Sequence, residues 1–146
     1  MSKARGRYLF PMLLAFGLAL LAKLFVIDLA VVDGPSMNPT LHEGQVVAVF
    51  RLAYGLRLPP GLGGIILPWS QPRPGDLVVA RNPLSGAAVI KRVGWMEPVA
   101  VGEAGKGPGS VWLLGDNPAE SLDSRSYGAV PVEEIAGRVL LFGPRP

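Results

Sequence analysis

Few residues in this chain can do chemistry, and the first is a serine. Ser36 lies in GPSMNPTL, residues 34–41, where Gly34, Pro35 and Pro39 surround the hydroxyl with one flexible and two φ-restricted backbone positions. A serine hydroxyl is a weak nucleophile near neutral pH and needs a base within hydrogen-bond reach. Lys91 is one candidate. It stands in AAVIKRV, where strand alternation sends Lys91 and Arg92 to opposite faces. An amine among apolar groups loses solvation of its charged form, so its pKa falls and the neutral base becomes available. The plainer reading of Lys91 is an edge charge or a snorkelling side chain. His42, the one histidine, stands in the polar turn LHEGQ with no carboxylate evidently placed to orient it; its alternative is an exposed turn residue. A second polar concentration, GDNPAESLDSR, spans residues 115–125. Within it Asp123 and Arg125 can pair, and Ser121 can orient an amine. The competing reading is an exposed turn rich in Asp, Asn and Ser.

Composition removes whole classes of chemistry. The chain has no cysteine, which excludes thiol catalysis, thiolate metal sites and disulfides, and a single histidine rules out zinc sites built on several imidazoles. The net charge of +3 is accounted for by Lys3, Arg5 and Arg7, since the other basic residues balance the acidic ones. Such a balance does not fit nucleic-acid binding.

The elements that must position these residues fall into two parts. Tyr8 to Ala22 is continuously apolar, about 22 Å as a helix at 1.5 Å per residue, against a hydrocarbon core of ~30 Å. Snorkelling of Lys23 and the apolar Leu24–Ile27 extend it, so a single transmembrane helix is expected over Tyr8–Ile27. Basic residues before it and Asp28 and Asp33 after it place the N-terminus in the cytoplasm and the rest outside. A cleaved signal peptide is the alternative, but no good small-residue cleavage site follows the apolar run. The expected organisation is residues 1–30 as cytoplasmic N-terminus and anchor, and 31–146 as one extracytoplasmic domain.

Downstream, short runs rich in Val, Leu and Ile alternate with Gly and Pro, which predicts a mainly β, largely antiparallel domain. Strands are expected at Gln45–Arg51, Asp76–Ala80, Ala87–Val93, Ser110–Leu114 and Gly137–Phe142. Leu52–Pro74 is rich in Gly and Pro yet carries Ile65, Ile66, Leu67 and Trp69. It reads either as a flap on a bilayer or substrate groove, with Trp69 at the interface, or as a hairpin packed on the core.

Taken together, these segments resemble the bacterial type I signal peptidases, membrane-anchored Ser/Lys proteases that remove signal peptides from exported preproteins. GPSMNPTL resembles the nucleophile box, PRPGDLVVARNP a structural strand, VIKRV the base box and GDNPAESLDSR the last box, in order behind an apolar segment. The resemblance implies Ser36 as nucleophile and Lys91 as general base. It further implies that Ser121 orients Lys91, that Asp123 and Arg125 form a supporting ion pair, and that Met37 helps to bury the amine. Val31, Val32, Asp33, Gly34 and Pro35 on one side and Ala88, Val89 and Ile90 on the other would flank an extended substrate with an Ala-x-Ala preference. No cofactor and no metal are implied; the partners are signal peptides and the lipid bilayer, and the place is the bacterial cytoplasmic membrane. Two departures from the pattern stand out. Gly34 replaces a serine that some members use as a second oxyanion donor, and Pro118, Ala119 and Glu120 stand where Arg-Asp-Asn is frequent. The alternatives to this reading are a related self-cleaving regulator, which the apolar segment argues against, and a non-catalytic membrane-tethered β-domain or degenerate peptidase serving as an assembly subunit.

Overall fold

A computed structural model describes residues 3–57, 65–97 and 109–141. It opens with helix α1, Lys3–Phe25, followed by β1 (Ile27–Val31) and β2 (Val46–Phe50). A short hairpin, β3 (Gly55–Arg57) and β4 (Ile65–Pro68), precedes β5 (Leu77–Arg81), β6 (Ala88–Glu97) and β7 (Ser110–Leu114). A single helical turn, α2 (Ser124–Tyr127), and the last strands β8 (Val130–Pro131) and β9 (Ile135–Leu140) complete it. The mainly β expectation holds. Seven strands form one antiparallel sheet in the order β1-β2-β9-β5-β6-β7-β8, and β3 and β4 form a separate ribbon.

The end of the expected helix is corrected. Val26 and Ile27 are β-branched, and Asp28 follows them, so the chain leaves the helix at Phe25 and enters β1 instead of remaining helical to Ile27. No helix among the described residues is long and apolar enough to cross a membrane. The side chains of Tyr8, Leu9, Phe10, Met12, Leu13, Leu14, Phe16 and Leu18 are all exposed, so α1 packs none of these on the β-domain.

Strand alternation sorts the core into two clusters. Val78 and Ala80 of β5 join Val93, Val111, Leu113, Val130 and Ile135, while Leu77 and Val79 of the same strand join Val32, Met37, Leu41, Val47, Val49 and Val139. The second cluster also carries Ala30 of β1 and Ile90 of β6. These two strands are separated by β2, β9 and β5 in the sheet order, so the sheet curls enough for both to pack on one cluster. That curl is what brings the loop after β1 to the base of the catalytic candidates.

Four of the five expected strands shift by a residue or more at their ends, and Ser110–Leu114 coincides with β7. The last strand starts at Ile135 instead of Gly137, and Phe142 lies outside the described residues. Gly137 stands in β9 where β2 crosses closest: a Cβ there would meet Phe50 O at 2.8 Å and Val49 Cγ1 at 2.9 Å. Gly137→Ala is therefore expected to lower stability by about 1–3 kcal/mol, the range for overpacking a filled core. A urea unfolding midpoint equal to the parent's would contradict this account of the β2–β9 contact.

Candidate active site

Ser36 sits in the loop between β1 and β2, and that loop is closed at its root by Val32 N–H to Gln45 O (2.8 Å) and Gly44 N–H to Val32 O (2.9 Å). Within it, Asn38 N–H donates to Pro35 O at 3.0 Å and Leu41 N–H to Met37 O at 2.9 Å, which winds the GPSMNPTL stretch into a tight turn. Met37 and Leu41 are driven into the second apolar cluster and hold that turn against the sheet. Gly34 has φ of +78°, the left-handed region that costs a side-chain-bearing residue and not glycine. The absence of a hydroxyl at this position thus accompanies a backbone that favours glycine.

Lys91 reaches the same point from β6. Its register partner on β5 is Val78, which is fully buried, so the lysine stem enters an apolar face and the residue is only 3% exposed. Nζ lies 2.8 Å from Ser36 Oγ and 3.2 Å from Ser121 Oγ. Burial pulls the Lys91 pKa below its ordinary range; Asp123 opposes that shift, Arg125 reinforces it and Asp116 opposes it, leaving the net direction downward.

Behind Ser121 stands a charge that is completely buried. The Ser121 hydroxyl donates to Asp123 Oδ2 at 2.8 Å, Gly115 N–H donates to the same oxygen at 2.9 Å, and Arg125 grips the carboxylate through Nε at 2.8 Å and through Nη2. Burial pushes the Asp123 carboxyl upward, but Arg125, the Gly115 N–H and the Ser121 hydroxyl outweigh it and hold the group well below the usual carboxylate range. Asp123 also caps α2 by accepting from Arg125 N–H, so one carboxylate ends a strand-to-helix connection and fixes Ser121. Because the Ser121 proton is committed to Asp123, its oxygen is free to accept an N–H from Lys91. Nζ also donates to Ser36 Oγ, and an amine that has lost a proton can offer its lone pair there.

Several neighbours were not singled out in the sequence. Arg92, on the face opposite Lys91, binds Asp116 twice (Nε–Oδ1 2.7 Å, Nη2–Oδ2 2.6 Å), and also donates to Gly75 O at 3.0 Å and Thr40 Oγ1 at 3.3 Å. Asn117 donates its N–H to Ser36 O at 3.0 Å and its amide to Pro35 O at 3.3 Å. These contacts lock the Ser36 turn to the GDN tripeptide. The GDN sequence signals a turn but does not name the segment it grips. His42 is exposed and its N–H donates to Gln45, with no contact to Ser36.

The proposed substrate flanks lie beside this cluster. β1 pairs only with β2, and β6 pairs with β7 only from Arg92 onward, so among the described residues Ala88, Val89 and Ile90 have a ladder partner on the β5 side alone. Val31 and Asp33 are exposed, Gly34 and Pro35 half-buried, and Val32 buried in the second cluster. No group of His, Asp and Glu among the described residues is placed to hold a metal ion.

A family model described as signal peptidase, peptidase S26, matches residues 5–102 and 97–142. The chain belongs to the signal peptidase family. It is 34% identical over 122 residues to the mitochondrial ATP-independent inner membrane protease subunit 1a of Arabidopsis thaliana, covering 80% of this chain and 70% of that protein. Signal peptidase I of Bacillus caldolyticus is 27% identical over 92% of this chain and 88% of its own length. Signal peptidase I of Pseudomonas aeruginosa is 35% identical over 90% of this chain, but the match spans 40% of that protein.

One glycine of this chain makes the cluster possible. A Cβ on Gly115 would fall 2.0 Å from Ser121 Oγ and 2.7 Å from Ser36 O, so any larger residue must push two members of the site apart. A displacement of about 1 Å costs on the order of a hundredfold in rate. Gly115→Ala is expected to lose that much peptidase activity while keeping the far-ultraviolet circular dichroism of the parent; retained activity would show that the contact is not needed.

Proposed function

We propose that this chain is a membrane-bound serine endopeptidase that removes signal peptides from exported preproteins with Ser36 as nucleophile and Lys91 as general base. The observation that carries this reading is the 2.8 Å separation of Ser36 Oγ and Lys91 Nζ around a lysine that is 3% exposed. Hydrogen-bond reach and a depressed amine pKa are the two conditions for such a dyad. Family membership supports the reaction class.

In the proposed cycle neutral Lys91 takes the Ser36 proton as Oγ attacks the scissile carbonyl. The C–N bond breaks, the leaving amine takes a proton from Lys91 and departs as the mature protein, and the signal peptide stays as an ester on Ser36. Lys91 next deprotonates a water, which attacks the ester and frees the signal peptide and the Ser36 hydroxyl. The Ser36 N–H serves as oxyanion donor. The substrate adds as an extended strand between Val31–Pro35 and the unpaired edge of Ala88–Ile90, with shallow pockets giving the Ala-x-Ala preference.

In this reading α1 buries its exposed apolar side chains in the lipid of a bacterial cytoplasmic membrane. Its fifteen-residue apolar run is short of a ~30 Å core, so Lys23 snorkels to the headgroups. Lys3, Arg5 and Arg7 favour the cytoplasmic side and leave the β-domain outside. The word subunit in the names of the mitochondrial relatives favours a second reading, a peptidase acting within an assembly. Cleavage of a preprotein by the purified chain alone separates the two.

Ser36→Ala and Lys91→Ala are each expected to lower kcat/KM on a preprotein in detergent by roughly three orders of magnitude or more. Full activity in either variant would remove the dyad. The pH profile supplies an independent check. The base works deprotonated, so kcat/KM should rise with pH through the Lys91 pKa, on a limb below the ordinary lysine range. Arg125→Gln deletes a cation that favours the neutral amine and leaves Asp123 less compensated, and both changes raise the Lys91 pKa. The limb should move to higher pH; an unmoved limb, measured as kcat/KM from pH 6 to pH 11, would dissociate Arg125 from the base.

A further inference from the structure

The β3–β4 hairpin takes no part in the site; one expectation made it a hairpin packed on the core, but its Ile66, Leu67 and the following Trp69 are exposed. Closer to Ser36, one peptide group gathers several hydrogen bonds at one end. The Pro35 carbonyl accepts twice, from Asn38 N–H at 3.0 Å and from the Asn117 side-chain amide at 3.3 Å. The Asn117 backbone N–H takes the next carbonyl, Ser36 O, at 3.0 Å. A single asparagine thus holds two successive carbonyls of the Ser36 turn. The Ser36 N–H, at the opposite end of the peptide group from Pro35 O, has no acceptor among the described residues.

A trans peptide is planar, and its C=O and N–H point in opposite directions. With Pro35 φ fixed by the ring, the plane turns only about Pro35 ψ and Ser36 φ. Two donors on the carbonyl oxygen stop that rotation, so they aim the N–H as well as hold the oxygen. They also polarise the group. A donor on C=O draws density from the amide and strengthens the N–H as a donor, by about 10–30% per bond. Asn38 closes the turn through the ordinary hydrogen bond to the residue three before it. The Asn117 backbone N–H already ties the two segments together through Ser36 O, so the side-chain contact from 82 positions away is needed for neither task. Gly34, meanwhile, brings no hydroxyl to the turn, and its φ of +78° disfavours any residue that would. Removing one oxyanion donor costs about 10²–10³ in kcat, so a site short of a side-chain donor depends heavily on its backbone N–H.

We propose that Asn117 is a positioning residue for the oxyanion: its side chain aims and polarises the Pro35–Ser36 peptide, so that the Ser36 N–H offsets the hydroxyl that Gly34 does not supply. This rests on the reading of Ser36 as nucleophile. As Oγ adds to the scissile carbon and Lys91 takes the Oγ proton, the carbonyl π pair moves onto oxygen, and the Ser36 N–H meets that charge. Asn117 acts through the peptide and does not touch the substrate. Both donors to Pro35 O stand in place beforehand, so nothing has to turn when the charge appears. The side chain is neutral, and its hydrogen bond goes to Pro35 O and not to Lys91, so its work is separate from setting the base. The GDN tripeptide then holds three tasks in succession: Gly115 leaves room for Ser121, Asp116 holds Arg92, and Asn117 sets the oxyanion donor.

A peptide aldehyde labelled with carbon-13 at its carbonyl tests this on the full chain in detergent. Ser36 Oγ adds to the aldehyde carbon, the hydroxyl proton passes to the former carbonyl oxygen, and the resulting hemiacetal ionises where the reaction's oxyanion would form. Asn117→Leu keeps much of the side chain's shape without a donor, and Asn117→Ala removes the donor without adding bulk. Each is expected to raise the pH at which the labelled carbon titrates by about one unit, and to lower kcat on a preprotein about tenfold. KM should change less than about twofold, and the alkaline limb of kcat/KM should stay in place. An adduct titrating as in the parent in both variants would overturn the role of Asn117 and leave Ser36 as nucleophile. A limb that moves with the adduct titration would overturn it in favour of an effect on Lys91, and a raised KM at parental kcat in favour of substrate binding. Loss of the parental far-ultraviolet circular dichroism in both variants would overturn it in favour of a purely structural contact. A parent chain that forms no hemiacetal would overturn the reading of Ser36 itself, and the role of Asn117 with it.

Discussion

Taking an ammonium group out of water costs several kcal/mol even after relaxation, so a lysine at 3% exposure has to shed its proton or find compensation. Lys91 has no carboxylate in hydrogen-bond contact. Its two neighbours are the hydroxyls of Ser36 and Ser121, and two hydroxyls suit a neutral amine, with one N–H donated and the lone pair offered, far better than an ammonium with three protons to place. Much of the domain reads as a means of keeping this amine dry and aimed. The apolar face shared with Val78 supplies the dryness; Asp123, acting through Ser121, supplies the aim.

Two polar networks divide the labour on the two sides of β6. Asp123, with Arg125, Gly115 and Ser121, stands on the amine's side and is wholly buried at its carboxylate. Arg92, with Asp116, Gly75 and Thr40, stands on the other and remains partly open to solvent. Burial pushes the Asp116 carboxyl up, and Arg92 and Thr40 more than reverse it, so this second pair is charged as well. The adjacent residues Lys91 and Arg92 thereby serve one network each, Lys91 reaching Ser36 directly and Arg92 holding the turn that carries it.

Side-chain chemistry was more legible in the sequence than geometry was. Ser36, Lys91, Ser121, Asp123 and Arg125 could be picked out because each stands in a short polar motif whose residue types are unusual for their surroundings, and the structure brings all of them together. Thr40, Gly115, Asp116 and Asn117 could not be assigned partners, since their contacts join segments far apart in the chain. β1 was hidden because IDLAV continues an apolar run, and only its pairing with β2 distinguishes a strand there from the end of a helix. The curl that sets Ala30 and Ile90 on one cluster is a property of the whole sheet, which no local pattern encodes.

The placement of β1 has a consequence for where a bond can be cut. One residue separates α1 from β1, and Ser36 follows β1 within a loop closed at its root. At about 3.4 Å per residue, the five residues of β1 form a stiff strut of roughly 17 Å, locked in register with β2 from Ile27 to Val31. Ser36 is thus held at a set height above the end of the helix, and in the proposed reaction the chain acts as a measuring stick as much as a cutting tool. Adding residues to β1 would lengthen the strut, whereas adding them to the loop would not, so the distance from helix end to cleaved bond is written into the length of a single edge strand.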